Sequence, residues 1–145
     1  MKKDNRGFSL VELIIVIAIM AALTAVLLPQ FLRYVEKSRV SSDEFQADQI
    51  RKVIEVAVTI EIINQELDMS PGETIIVSYS SGANEFSCAS AYPHLEAEME
   101  STIQIPYQFV SQKHKGQTFS VTVTCDDEGN YQVEGDPRNL AYWSN

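Results

Sequence analysis

Glycine and proline are scarce in the first half of the chain. Residues 8–70 contain no glycine and a single proline, Pro29, whereas five of the six glycines lie at Gly72 or beyond. Because these residue types are the usual helix breakers, their absence argues against short elements here and predicts one long helix over about residues 8–68. Pro29 removes one backbone donor and is expected to kink this helix. Pro71 and Gly72 form a plausible stop.

Cysteine and histidine are also scarce, with two residues of each: Cys88, Cys125, His94 and His114. The cysteines are far apart and have no histidine at ligand spacing, so no metal site is expected. The histidines are isolated in polar segments, where we expect surface positions. The serine-rich residues 78–90 hold no nucleophile elbow, and the glycines form no phosphate loop. These absences predict a chain that is not an enzyme and binds no cofactor.

Basic residues are few. The chain has 11 lysines and arginines against 20 acidic residues, a formal net charge of −9. Such a balance disfavours binding to nucleic acid, which depends on lysine and arginine, although a local basic patch at Lys113 and Lys115 stays open. The acidic turn at residues 126–128 has the side chains for calcium, but we expect it to be solvated, as most acidic turns are.

One long apolar run stands out among what is present. Residues 13–28 have Thr24 as their single polar member, and Glu12 directly precedes them. A helix over residues 8–28 is about 31 Å long, close to the hydrocarbon thickness of a bilayer. An ionised carboxylate at the mouth of such a segment is costly unless it has a partner. Glu12 is therefore a candidate functional residue.

Residues 6–12, Arg-Gly-Phe-Ser-Leu-Val-Glu, together with this apolar run resemble the N-terminus of type IV pilins and pseudopilins. The resemblance covers about the first thirty residues. It implies a basic leader at residues 1–7, cleavage by a prepilin peptidase between Gly7 and Phe8, and N-methylation of Phe8. Glu12 matches the glutamate at the fifth mature position. Pro29 matches a proline common in the family's first helix.

The resemblance also implies how the chain acts. The membrane holds the subunit until it polymerises through its helices with itself and other pilins, and the Phe8 amine of an incoming subunit meets the Glu12 of a neighbour. The alternative role for Glu12 is to cap its own helix turn. An assembly platform protein and a cytoplasmic ATPase are the further partners implied. The N-terminus lies in the cytoplasm and the C-terminus outside.

Several alternatives remain at this stage. An ordinary signal peptide disagrees with the spacing of Ala18, Ala21, Ala22 and Ala25, which gives no Ala-x-Ala site, and a plain single-pass anchor leaves Glu12 unexplained. Within the family, the chain is expected to be a pilus subunit for adhesion or motility. A pseudopilin of a type II secretion or DNA-uptake machine and a ligand-binding minor pilin are the alternatives.

On an exported domain, Cys88 and Cys125 are expected to pair, and pilins often carry one such disulfide. The alternative is two buried thiols, because Cys125 falls on the apolar face of its strand.

The rest of the sequence predicts an α+β domain with a three- to four-stranded antiparallel sheet. Alternation predicts strands over residues 75–79, 103–109, 119–125 and 131–134, with Ile105 and Pro106 inside the second, joined as a meander. A short helix is expected over residues 94–101. Residues 54–62 alternate like a strand as well, but helix is favoured there because no breaker precedes them. The domains are then the leader 1–7, the membrane and assembly half-helix 8–29, and the globular part 30–145, which includes the outer half of the long helix.

Overall fold

The structure is a computed structural model that describes residues 8–83, 85–88, 92–103 and 107–144, without the side chain of residue 62. The chain divides into two compact units, residues 1–37 and residues 38–145. The first contains, among its described residues, the N-terminal part of helix α1 (Leu10–Ala57). The second contains the rest of the elements. The α+β class is confirmed.

The predicted long helix is present in two pieces. Helix α1 continues through Pro29, and helix α2 (Glu61–Leu67) follows after a turn. In that turn the Thr59 and Ile60 amides donate to carbonyls three residues back, at 3.1 and 3.0 Å, and the Thr59 hydroxyl bonds to the Val56 carbonyl at 2.6 Å. The prediction of one unbroken helix to residue 68 is therefore wrong at residues 58–60. The reason is a β-branched run that lowers helix propensity, with a hydroxyl that competes for a helix carbonyl.

The sheet is antiparallel and has five strands: β1 (Thr74–Ser80), β2 (Glu85–Cys88), β3 (Thr118–Cys125), β4 (Tyr131–Glu134) and β5 (Trp143–Ser144). Their order is β2-β1-β3-β4, and β5 pairs with the start of β3. Strands β1, β3 and β4 confirm predicted strands. The predicted meander, in which each strand pairs with the next one in the chain, is wrong. Strand β1 pairs with both β2 and β3, and the chain passes from β2 to β3 through helix α3 (Pro93–Thr102). Helix α3 itself was expected.

The predicted strand over residues 103–109 is not found in the part of it that the structure describes. Ile103 ends helix α3, and Tyr107 and Phe109 lie outside the sheet; Ile105 and Pro106 are outside the described residues. Phe109 is nevertheless buried. The alternation of apolar residues therefore reflected the burial of Phe109 and not a strand. The backbone amide of Tyr107 donates to a side chain, the Tyr79 hydroxyl, at 3.1 Å.

The core lies between the outer half of α1 and one face of the sheet. The buried residues of α1 fall at intervals of three and four: Asp43, Ala47, Ile50, Ile54 and Ala57. Alternate residues of β1 and β3 face them, and β3 has the burial pattern of a strand with one covered face. Helices α2 and α3 add Ile63, Leu67, Leu95 and Met99. This is a helix packed on a sheet, as a one-sided sheet requires.

Candidate functional site

The start of α1 positions the candidate assembly residues. Phe8 precedes the helix and is 87% exposed. Glu12 lies in the first helical turn, where its Oε2 atom accepts a hydrogen bond from the Ser9 amide at 2.9 Å. This is one half of a capping box, with Ser9 at the N-cap and glutamate three residues on. Gly7 and the rest of the predicted leader lie outside the described residues.

Helix α1 presents an apolar surface around its whole circumference near the N-terminus. The large hydrophobic side chains of residues 8–34 are exposed there, including Leu13, Ile17 and Leu28. In the described part of the chain, α1 is the one helix that is long and apolar enough to cross a membrane. Thr24, the single polar residue of the apolar run 13–28, donates its hydroxyl to the Met20 carbonyl at 2.8 Å. Such internal satisfaction is what a helix in lipid needs.

The two cysteines do not meet. Both are free thiols. Cys88 pairs with Val77, Val77 pairs with Val121, and Cys125 is four residues further along β3. Two strand spacings and four residues separate the two Cα atoms by roughly 16 Å, beyond the reach of a disulfide. The structure therefore argues against the expected disulfide, and of the two buried thiols of the alternative it buries Cys125 fully and Cys88 only in part.

The Cys88 thiol is also unreactive in its surroundings. Burial, with smaller contributions from the negative charges of Glu96 and Glu66, raises the pKa of Cys88 to about 11. Little of the nucleophilic thiolate exists at neutral pH under these conditions. This cysteine behaves as a small apolar residue that packs against the core.

The two histidines have different surroundings. His94 is exposed, as expected, and its Nδ1 atom lies 3.2 Å from Glu66. His114 is fully buried, which the sequence prediction missed. Its ring stacks on Trp143 with centroids 3.8 Å apart. Burial lowers the pKa of His114 below its ordinary value, because the charged ring would lose its hydration.

A buried carboxylate organises the loop that carries His114. Both oxygens of Asp43, on α1, accept backbone hydrogen bonds, from the Val110 amide at 3.0 Å and from the Ser111 amide at 2.8 Å. The Ser111 hydroxyl in turn accepts from the His114 amide at 3.2 Å. Asp43 was not singled out from the sequence. The signal was its place in the apolar helix repeat, four residues before Ala47.

The acidic turn after β3 is held by its own hydrogen bonds. Asp126 accepts from the Glu128 and Asn130 amides at 2.9 and 2.8 Å through one oxygen, and its other oxygen contacts the Asn130 side chain at 3.3 Å. These contacts, led by the Asn130 amide, lower the pKa of Asp126. The turn closes the β3–β4 hairpin. Across the described residues, no group of three or more potential ligands has the placement for a metal ion.

Comparisons with known proteins match the N-terminal segment to a family model and part of the chain to fimbrial proteins. A family model for the prokaryotic N-terminal methylation motif matches residues 2–28. The type IV major fimbrial protein FimA of Dichelobacter nodosus is 41% identical over 58 residues, which cover 40% of this chain and 37% of FimA. Two further FimA proteins of that organism are 40% identical over 58 residues, covering 40% of this chain and 37% and 36% of their own lengths. No solved structure matches the chain significantly.

The chain spans little more than a third of the length of these curated relatives. The motif match covers Gly7, Phe8 and Glu12, the residues on which the resemblance was first based. A long N-terminal helix with an exposed apolar surface follows the motif, and an antiparallel sheet lies in the second unit. The N-terminal segment of the chain thus carries the prokaryotic methylation motif and is similar to that of type IV major fimbrial proteins.

Proposed function

We propose that the chain is the subunit of a type IV pilus, cut between Gly7 and Phe8, methylated at Phe8 and polymerised into a filament for adhesion or motility. It acts as a structural subunit and not as an enzyme. The observation that carries the proposal is a single carboxylate, Glu12, in the first turn of an exposed apolar helix inside the methylation motif. The major fimbrial relatives favour a main subunit over a pseudopilin or a minor pilin.

The chemistry of assembly follows from the charges at this end of the helix. Cleavage after Gly7 creates an α-amino cation on Phe8, four residues from Glu12. In an apolar layer each of these charges is costly alone, and pairing between two subunits neutralises both. The attraction gives an incoming subunit both a driving force and an axial register. The Ser9 amide holds the Glu12 carboxylate at the helix start until a neighbour arrives.

The membrane is the proposed store of subunits before assembly. An apolar segment of this length spans a bilayer once, with the leader in the cytoplasm and residues 38–145 outside. A prepilin peptidase, a platform protein and an assembly ATPase are the proposed partners, since a membrane-inserted helix needs work to leave the bilayer. Lipid is replaced in the filament by the helices of neighbouring subunits.

Mass analysis of the N-terminus in sheared cell-surface material tests this function. We expect an abundant peptide that begins at methylated Phe8. The same peptide confined to membranes would indicate a pseudopilin or a minor subunit. An intact leader, or a mature terminus beyond residue 28, would overturn the pilin function itself.

A further inference from the structure

A charged groove lies in the second unit, between the outer half of α1 and the segment that follows β4. Its volume is about 670 Å³. Its charged lining consists of four carboxylates and two guanidinium groups: Glu44, Asp48, Glu134, Asp136, Arg51 and Arg138. Two aromatic rings, those of Phe45 and Tyr142, complete the part of the lining that matters here. The groove is therefore acidic with aromatic walls.

The two arginines of the groove are already neutralised within the chain. Arg51 contacts Asp48 at 3.1 Å and Glu55 at 2.9 Å, and Arg138 contacts Asp136 at 3.2 Å.

The remaining carboxylates of the groove are less well compensated. Glu44 has a long contact of 3.5 Å with Lys113. Glu134 is exposed on β4, and no ion pair to it is found among the described residues. The groove thus offers two carboxylates to a cationic partner.

The two aromatic rings of the groove indicate that its cationic partner also has an apolar part. Phe45 is 64% exposed although it belongs to the packed part of α1, and Tyr142 is half-buried. Lysine and arginine side chains place an apolar stem against such surfaces while their charged ends meet carboxylates. A basic helical segment with an aromatic neighbour fits this lining.

The chain itself contains such a segment, residues 33–37 of α1, here called the basic stem. Arg33 and Lys37 are exposed and four residues apart, so they project from one helix face. Tyr34, three residues before Lys37, is its neighbour on the helix surface and is 75% exposed. No ion pair to either cation is found in the described part of the chain. The stem therefore presents two cations on one helix face, with an aromatic ring next to Lys37.

We infer that the groove binds the basic stem of a second copy of the chain, an inference that rests on the proposed polymerisation. The two surfaces are different patches of the same molecule, so the contact is heterologous. A heterologous contact that does not close into a ring propagates as an open helical filament. Each subunit then offers its stem to one neighbour and its groove to another, outside the apolar layer where Glu12 acts.

Charge reversal and rescue test the contact in cells that make the full chain. Lys37→Glu and Glu134→Lys each place like charges across the contact, so we expect each to lower the sheared filament about tenfold or more. The double variant restores the opposite charges and recovers filament to within about twofold of wild type. Lys115→Glu, the same change at an exposed lysine outside both surfaces, leaves filament yield unchanged. Normal yield from both single variants, or loss in the Lys115 control alone, overturns the inference.

Chemical cross-linking separates a true contact from a folding defect. In a Lys37→Cys, Glu134→Cys double variant, a bifunctional maleimide produces a ladder of dimers, trimers and higher species from filaments, while each single variant gives none. Wild-type filaments with no ladder in the double variant overturn the groove contact and leave the proposed function standing. Absence of any filament from the wild-type chain overturns both.

Discussion

Glu12 is a residue whose local role and proposed intermolecular role use the same carboxylate. In the single chain it accepts from the Ser9 amide and lies where the helix dipole favours a negative charge. The sequence left open whether Glu12 caps its helix or drives assembly. The capping contact is present, and assembly is the proposal, because an ionised carboxylate in an apolar layer is costly without a cationic partner.

Replacement of Glu12 separates these roles. Glu12→Ala is expected to leave cleavage at Gly7 and membrane insertion intact but to abolish filaments, because the Phe8 amine of an incoming subunit has no counter-charge. Glu12→Gln keeps a capping acceptor without the charge and should fail in the same way. Immunoblots of membrane and sheared fractions measure both steps. Filaments from the glutamine variant would show that capping, and not charge, is what matters.

Asp43 makes a second residue-scale prediction. Asp43→Ala leaves the buried Ser111 amide and the part-buried Val110 amide without their acceptor, so the free energy of unfolding should fall by about 3 kcal/mol. Asp48→Ala, five positions on, removes part-exposed ion pairs and should cost less than about 1 kcal/mol. Denaturant unfolding in detergent, followed by the fluorescence of the single tryptophan Trp143, measures both. Equal losses would contradict the role given to Asp43.

His114 makes the stability pH-dependent. Its pKa in the folded protein is lowered by burial; Lys113 lowers it further, while Gln117 and the carboxylates Asp43 and Glu44 partly oppose this. The unfolded chain therefore binds a proton at higher pH than the folded chain. The stabilisation is complete above about pH 6.5 and is lost as the pH falls below that value, by at most about 1.4 kcal/mol per pH unit.

Unfolding measured between pH 7.5 and pH 5 checks this dependence, with about 0.5-unit steps sufficient for a slope of that size. His114→Gln should flatten the part of the curve just below pH 6.5. His94→Gln is the comparison variant at an exposed histidine. If the two variants have the same profile, the lowered pKa of His114 is not the cause.

At the scale of elements, the alternation of apolar residues predicted a strand correctly where the segment both has one buried face and forms backbone hydrogen bonds to a neighbouring strand. The alternation of Phe119, Val121 and Val123 predicted β3 because that strand has one covered face and a continuous ladder. The same alternation failed in the described part of residues 103–109, where the Tyr107 amide donates to the Tyr79 hydroxyl and not to a neighbouring strand. Strands β2 and β5 were missed because each is short and is defined by its partner, β1 or β3.

The β3–β4 turn gives an element-scale prediction. Gly129 has a φ of 83°, in the left-handed region, with open space around its α-carbon. Gly129→Ala is expected to cost about 1 kcal/mol from backbone strain alone. Gly82→Ala, where the space is also open and no positive φ is needed, should be neutral or slightly stabilising. Thermal unfolding of the two variants compares them. A loss at Gly82 equal to that at Gly129 would contradict the turn assignment.

At the scale of the whole molecule, the two units differ in whether their apolar side chains are buried within the chain. Every residue of the hydrophobic core cluster lies between Ala47 and Trp143, in the unit of residues 38–145. The described apolar residues before residue 38 contribute nothing to that cluster, and all of them except the half-buried Val35 are exposed. The second unit thus has its own hydrophobic core, whereas the first has an apolar surface that only lipid or other helices could cover.

Truncation tests this division. A fragment of residues 30–145 should be soluble without detergent and unfold cooperatively, because it keeps the whole core. A fragment that starts at residue 61 loses Ala47, Ile50 and Ile54 from one side of the core and should not fold. Circular dichroism and thermal unfolding measure both fragments. A folded shorter fragment would contradict the packing of α1 on the sheet.

The sequence by itself determined the character of the N-terminal segment, because a methylation motif and an apolar run long enough to span a bilayer are read from residue order alone. The motif, its carboxylate and the apolar run need no tertiary contact to be recognised. It also determined the α+β class and the strands with one covered face, since a period of two survives any arrangement of the sheet.

Only the tertiary structure decided how distant residues meet. It buried His114 and Asp43, whose neighbours in sequence are polar. The Ser111 amide donates to Asp43 and the Trp143 ring stacks on His114, and both partners are distant in the chain or belong to other elements. It kept Cys88 and Cys125 apart through the strand order β2-β1-β3, which no cysteine spacing reveals. It also formed the acidic groove from α1 and the chain after β4, two segments more than eighty residues apart. Register and long-range packing set these features, because they depend on pairing free energies between elements and not on local propensity.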